Sequence, residues 1–433
     1  MNNNPLVSVC IPAYNHDKYI ADCVKSVLAQ TISDFEIVIT DDMSSDQTVA
    51  IIETFSDERI RLFRAMTNQG PSATANNNIR QARGQYICFL ASDDRFQPEK
   101  LERQLAFLQN NPDVGIVFSY MRYVDEGGAP IDGHPAYRYT DVENRSREEW
   151  LRKFFFEGNY LSAPTAMIRR EVFDRIGLLD IRLLQTQDFD FWIRACLHYE
   201  IHVLPERLID YRIRASQQNT SAPTPEKQAQ TYWELSKVLR HFCQIEDEKL
   251  LNKVFPELES LKGDLRSTQA KIALLAVHAA SQPVRVFGID ALYNALVDDE
   301  VTQAAEENGY DLPTFYKLAG DIDALGVKQG VRVRELEELF READKISQQR
   351  LDSLKAEYDW AADQARRWET AAVNATRQAE QSNKDRKEAV RASQEWKQKY
   401  EQAFAQSQVW QKKYEKSALP FLIRRIFSAL QRH

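Results

Sequence analysis

The stretch Tyr86-Ile87-Cys88-Phe89-Leu90-Ala91-Ser92-Asp93-Asp94 decides how the chain folds. It opens with apolar, aromatic and β-branched residues, the pattern of a buried strand, and runs directly into two adjacent carboxylates. A strand end has no need of paired anions, because like charges at that spacing repel and one of them resists ionising. A divalent cation, or a ligand that carries one, removes the difficulty. The competing reading is a solvated acidic turn capping a helix that begins near Pro98.

Working outward, the same arrangement recurs. Residues 6–11 (LVSVCI) read as a strand ending at Pro12-Ala13-Tyr14-Asn15, followed by a helix with Ile20, Val24, Val27 and Leu28 on one face. Residues 35–40 (FEIVIT) form a second strand, which ends in Asp41-Asp42-Met43-Ser44-Ser45-Asp46; Asp46 suits the N-cap of the next helix. Residues 60–64 make a third, leading into Asn68-Gln69-Gly70 and another helix. Strands alternating with helices predict a mostly parallel α/β sheet with right-handed crossovers, in which ligands sit beyond the carboxyl ends of the strands. The tails PAYN, DDMSSD and ASDD then converge on one edge and make a site. Further strands are expected at 114–120, 165–169, 201–204 and 208–213. Asp188-Phe189-Asp190 opens a helix whose first turn carries two carboxylates, suited to the positive end of its dipole. The α/β domain is expected to occupy residues 1–220.

Composition narrows the class. The chain has 433 residues, 43% hydrophobic and 28% charged, and a formal charge of −8, which suits a soluble protein and gives no support to a nucleic-acid binder. Cys10, Cys23, Cys88, Cys196 and Cys243 show neither CxxC nor Cys/His ligand spacing, so buried reduced thiols in a cytoplasmic protein are expected. The first residues, MNNNP, lack the parts of a signal peptide, and no apolar run reaches the roughly 18 to 20 residues of a membrane span.

The second half differs in kind. Residues 221–330 read as a helical region without evident chemistry. Residues 331–417 carry a 3-4 spacing through Leu351, Leu354, Tyr358, Ala361, Ala365 and Trp368 onward to Ser417, which predicts a long coiled coil and a homo-oligomer, with a stutter near residue 350. Residues 418–433 place Phe421, Leu422, Ile426, Phe427 and Leu430 beside Arg424, Arg425 and Arg432. A basic amphipathic helix of this kind predicts attachment to an anionic membrane surface, with docking on a partner protein as the rival.

The motifs PAYN (12–15), DDMSSDQT (41–48), NQG (68–70), ASDD (91–94), QDFDFW (187–192) and YRIRASQQNTS (211–221), in that order, resemble those of the family 2 glycosyltransferases, whose nucleotide-sugar fold is of the GT-A type. The resemblance covers about half the chain. It implies that the first loop (Pro12, Tyr14, Asn15) and Asp41 hold the nucleotide, Tyr14 against the base and Asp41 accepting from a base N–H, with Asp42 or Asp46 arranging the loop. It implies Asp93 as the ligand of a divalent metal (Mg²⁺ or Mn²⁺) and Asp94 as a contact to the donor sugar. The family's metal motif begins with an acidic residue, where this chain has Ala91. Asp188 corresponds to the base that takes the proton of the acceptor hydroxyl, with Gln187 where Glu often stands. Arg214 replaces the histidine of the late motif and is expected to engage the diphosphate.

The sequence therefore predicts a GT-A fold followed by a helical region, a coiled coil and an amphipathic anchor. The expected activity is inverting transfer of a sugar from a nucleotide-diphosphate donor to a glycan or lipid-linked acceptor in surface-polysaccharide synthesis. That enzyme would be cytoplasmic, peripheral on the inner face of the membrane. The alternative is a catalytically reduced scaffold that recruits assembly enzymes through its coiled coil. A nucleotidyltransferase is disfavoured because PAYNHDKY is not a Gly-rich phosphate loop.

Overall fold

The computed structural model describes residues 4–214, 224–262, 265–381, 388, 390–402, 404–405 and 408–409. Residues 1–324 make one compact unit and residues 325–433 a second.

Among the described residues the first unit holds one sheet of eight strands. These are β1 (Val7–Ala13), β2 (Phe35–Asp41), β3 (Ile60–Arg64), β4 (Tyr86–Phe89), β5 (Arg95–Phe96), β6 (Val114–Val124), β7 (Met167–Arg169) and β8 (Glu200–Arg212), in the spatial order β3-β2-β1-β4-β7-β6-β8-β5. β1 runs parallel to β2 and β4, β2 to β3, and β6 to β8, while β7 lies antiparallel between β4 and β6. The sheet is mixed and mostly parallel, with flanking helices, as a GT-A fold requires. Ala13 pairs with Asp41 and Asp41 with Arg64, so these strands end level.

The central strands β1, β2 and β4 are buried on both faces, as parallel sheets usually are. Val7, Val9, Ile11, Ile37, Ile39 and Cys88 enter one apolar cluster, whereas Cys10, Val38, Ile87 and Phe89 enter the other. That alternation is the two-residue period of a strand expressed as packing. The second cluster continues without a break into the helices that follow Pro225, through Phe242, Phe255, Phe287 and Leu292. Phe155 packs against Phe242, Phe255 and Phe287 at ring separations of 5.0, 4.9 and 6.1 Å. Gly288 lies where the helix Gln282–Ala295 crosses Thr268–Ala276. A Cβ there would come within 2.7 Å of the Ala276 Cβ and the Val277 nitrogen. All five cysteines are free thiols, four of them buried.

Two strand expectations change. The segments 201–204 and 208–213 are one strand, β8, because Leu204 pairs with Ser119 and Arg207 with Tyr120, leaving Pro205 and Glu206 as a bulge. Proline offers no ladder N–H, so the sequence pattern breaks where the strand does not. β7 is shorter than expected because Ala163–Thr165 forms a 3-10 turn.

In the second unit Val327–Gln381 is a single helix of 55 residues, continuous through position 350. No helix among the described residues is long and apolar enough to cross a membrane. The end of the heptad seam from residue 410 and the amphipathic segment 418–433 lie outside the described residues.

Candidate active site

The site is built where β1, β2 and β4 end. Asn15 takes a left-handed backbone (φ 49°), which its short polar side chain tolerates, and Met43 in the facing loop does the same at φ 66°. Four contacts lock the loops together. The Asn15 N–H donates to Ser44 Oγ at 2.9 Å, Ser45 N–H to Asn15 Oδ1 at 2.8 Å, His16 N–H to Thr48 Oγ1 at 2.8 Å and Asp17 N–H to Asp46 Oδ2 at 3.0 Å. Tyr14, in the same loop, leaves 47% of its surface exposed. Pro12 sits at the end of β1 opposite Thr40.

Asp41 is buried. Its Oδ2 accepts from Ser44 N–H at 2.9 Å, while its Oδ1 has no hydrogen-bond partner among the described residues. A buried acceptor without any partner costs about 1–3 kcal/mol, so this oxygen is open to an N–H or O–H donor, water included. Asp42 differs: its two oxygens accept from Gln69 N–H (2.8 Å) and Gly70 N–H (2.9 Å), and it shapes the NQG turn. Gly70 adopts φ 84°, which an L side chain rarely adopts.

Asp93 and Asp94 are both buried at the end of the fourth strand. Asp94 Oδ1 accepts from Arg212 N–H at 2.9 Å and its Oδ2 has no hydrogen-bond partner among the described residues. Burial first, and then the neighbouring Asp93, pushes the Asp94 carboxyl well above the ordinary range. Asp93 pairs with Arg214, Oδ2 to Nε at 3.1 Å. Arg212, itself buried, donates from Nε to the Asp93 carbonyl at 2.8 Å and from Nη1 to the Glu126 carbonyl at 2.7 Å. His16 joins the group, with Nδ1 2.7 Å from Ser92 Oγ and Nε2 2.8 Å from Arg214 Nη1. A guanidinium only donates, so Nε2 accepts and the Nδ1 proton faces Ser92. His16 is thus a neutral imidazole; burial lowers its pKa, opposed by Asp93 and assisted by Arg214.

Asp188 lies half-buried in the first turn of the helix Gln187–Cys196. Its Oδ1 accepts from Phe189 N–H at 2.7 Å, and the Asn159 side chain also bonds it. Burial outweighs these bonds and raises its pKa to about 6. Trp192 is a packing residue, edge-on to Phe118 at 4.8 Å. The Asp188 helix and the strand ends are linked through the helix Pro71–Gln81. Asp42 holds Gly70 at its start, and Ser72 Oγ donates to the Leu183 carbonyl at 3.0 Å.

The structure therefore gathers Asp41, Asp42, Asp93, Asp94 and Arg214 with the first loop, and holds Asp188 on a connected element. Sequence reasoning missed His16, whose only signal was its position directly after PAYN, and Arg212, an arginine hidden inside a strand. The part of the late motif beyond Arg214 lies outside the described residues. As to a metal, no group of three or more His, Cys, Asp or Glu is gathered as a metal cluster among the described residues. Asp93 offers one carboxylate and Ala91 none. That donor set would suit Mg²⁺ or Mn²⁺ held by one carboxylate, an ion that takes its other ligands from phosphates and water.

Acidic strand ends at a mostly parallel sheet edge, a buried carboxylate oxygen open to a donor and a carboxyl with a raised pKa make up the candidate site. Residues 8–177 match the model of Glycosyl transferase family 2. An uncharacterized glycosyltransferase of Methanocaldococcus jannaschii is 30% identical over 249 residues, 56% of this chain and 83% of that one. A putative teichuronic acid biosynthesis glycosyltransferase of Bacillus subtilis, TuaG, is 32% identical over 218 residues, 49% of this chain and 81% of that one. Among solved structures, S. aureus TarS 1–349 in complex with UDP aligns with a TM-score of 0.46 and 20% identity, covering 75% of this chain and 92% of that one. The chain belongs to glycosyltransferase family 2.

Proposed function

We propose that the protein is an inverting glycosyltransferase that moves a sugar from a nucleoside-diphosphate donor to a glycan acceptor, lipid-linked, in the synthesis of a surface polysaccharide. The observation that carries the reading is Asp188, a carboxyl tuned to about 6 on an element tied to the nucleotide edge. A general base works best when its pKa lies near the operating pH, so that it is ionised yet still takes a proton. The relative TuaG, named for teichuronic acid biosynthesis, supports the polysaccharide assignment.

In this reading Tyr14 stacks on the base and Asp41 Oδ1 accepts from a base N–H. Arg214 turns from Asp93 toward the diphosphate, and Asp94 meets a sugar hydroxyl. Asp188 takes the proton of the acceptor hydroxyl as that oxygen attacks the anomeric carbon opposite the leaving diphosphate, which inverts the centre. A divalent cation held by Asp93 would compensate the charge of the departing nucleoside diphosphate. The long helix of the second unit supports self-association, and the basic segment 418–433 supports attachment to an anionic membrane surface on its cytoplasmic side. The domains would then run 1–220 catalytic, 221–330 helical, 331–417 coiled coil and 418–433 anchor.

Incubation with a panel of nucleotide sugars tests the reading: hydrolysis or transfer of one donor, abolished by Asp188→Asn while that donor still binds, is expected. Binding of none overturns it. The scaffold alternative draws on Ala91 and predicts donor binding without turnover.

A further inference from the structure

Glu234 sits on the helix Pro225–Val238, in the region where the sequence offered no chemistry, and it is completely buried. Its carboxylate accepts five hydrogen bonds. Oε1 takes Leu184 N–H at 3.0 Å and Gln230 Nε2 at 2.9 Å; Oε2 takes Gln185 N–H and Thr186 N–H, each at 2.9 Å, and Thr186 Oγ1 at 3.0 Å. Three successive backbone amides converging on one carboxylate form an anion nest turned inward. Thr186 is the N-cap of the helix Gln187–Cys196, and Asp188 lies two residues beyond it. A second grip comes from the same segment of chain. His241 Nε2 lies 2.7 Å from Asp190 Oδ1, and the other oxygen of Asp190 pairs with Arg194 at 2.8 Å.

We propose that Glu234 is a positioning residue for glycosyl transfer: by binding the amides of residues 184–186 it fixes the entry of the helix and the direction of Asp188, with His241 securing the turn that follows. A side chain of the helical region thereby sets the aim of the base. This rests on Asp188 acting as the base. Glu234 itself touches neither donor nor acceptor, yet a misdirected base is costly, since a misplacement of about 1 Å lowers rates on the order of a hundredfold.

The experiment uses the full chain carrying Glu234→Gln, which swaps one acceptor oxygen for a donor facing other donors. Three readouts are taken: amide hydrogen exchange across 184–190, affinity for UDP and GDP as nucleotide probes, and kcat against pH with the donor the wild type turns over. The expected result is faster exchange at 184–186, nucleotide affinity within about twofold, kcat lowered about tenfold or more, and an inflection displaced from its wild-type position. A kcat within twofold of wild type despite loosened amides overturns the proposal. So does parallel loss of kcat and nucleotide affinity with a lowered Tm, the mark of a merely structural residue. Should the variant fail to fold, Thr186→Val removes the hydroxyl alone: a severalfold fall in kcat at unchanged nucleotide affinity is expected, and an unchanged kcat refutes the proposal. Turnover that survives Asp188→Asn removes the base assignment instead, so the two failures are distinguishable.

Discussion

Arg214 Nη1 donates to His16 Nε2 across 2.8 Å while its Nε faces Asp93 at 3.1 Å. One guanidinium thus ties the first loop to the acidic tail of the fourth strand. A donor diphosphate entering here would offer Arg214 a stronger anion. Arg214→Ala is expected to weaken binding of a nucleoside diphosphate by about tenfold to a hundredfold, the range for a hydrogen bond to a charged group, and binding of the bare nucleoside far less. Calorimetric titration of both ligands checks this. Equal loss for the two would assign Arg214 to loop structure alone.

Asp188 carries a pH signature. With its pKa raised to about 6, the rate should climb with pH up to about that point and level off above it, as expected for a base that must be ionised. The stability effect has the opposite sense. A folded value above the ordinary 3.9 or so means the native state holds the proton more tightly, so this contribution is full below about pH 4 and lost as pH rises through about 6. Asp188→Asn should therefore raise Tm at pH 8 and leave it near wild type at pH 4, as thermal melts at the two pH values would reveal.

Asp41 presents one bare oxygen. In Asp41→Asn the remaining oxygen is needed by Ser44 N–H, which turns the amide toward the ligand as a donor. Nucleotide affinity should drop about tenfold to a hundredfold, with the fold preserved as judged by circular dichroism. An unchanged dissociation constant would remove Asp41 from base recognition.

With a single carboxylate available from Asp93, metal binding should be weak without a diphosphate and strong with one. Titration of Mn²⁺ followed by its paramagnetic signal, with and without UDP or GDP, measures this directly. Asp93→Ala should abolish the difference, and turnover unaffected by EDTA would exclude the cation.

The basic end of the chain makes a prediction independent of catalysis. Removing residues 418–433 should shift the protein from the membrane fraction to the supernatant and abolish binding to anionic vesicles, with neutral vesicles bound weakly by either form. Sedimentation of the full chain reports the number of helices that associate. A monomer at micromolar concentration would contradict the coiled coil.

The sheet edge was legible because its signals are local. A run such as FEIVIT followed by DDMSSD states both the strand and what lies at its end, and β1, β2 and β4 appear where that pattern put them. Pro205 concealed the continuity of β8, since a two-residue bulge looks like a turn until the partner strand β6 is known. His16, Arg212 and Glu234 were invisible for a different reason. Their meaning lies in contacts across 76, 119 and about 50 residues of chain; His16 follows PAYN directly and Arg212 falls inside YRIRASQQNTS, but neither position states what the side chain holds. Asp188 was singled out through the resemblance of QDFDFW to the family motif, whereas the burial that raises its pKa belongs to the tertiary fold.

The unbroken apolar cluster from the sheet to Leu292 has a practical corollary. A chain cut short near residue 222 would keep every carboxylate of the site, yet it would strip Phe155 of three aromatic neighbours and leave the 184–186 amides facing water. Residues 1–324 form one compact unit, so swapping catalytic halves between relatives is expected to require those later helices to travel with the sheet.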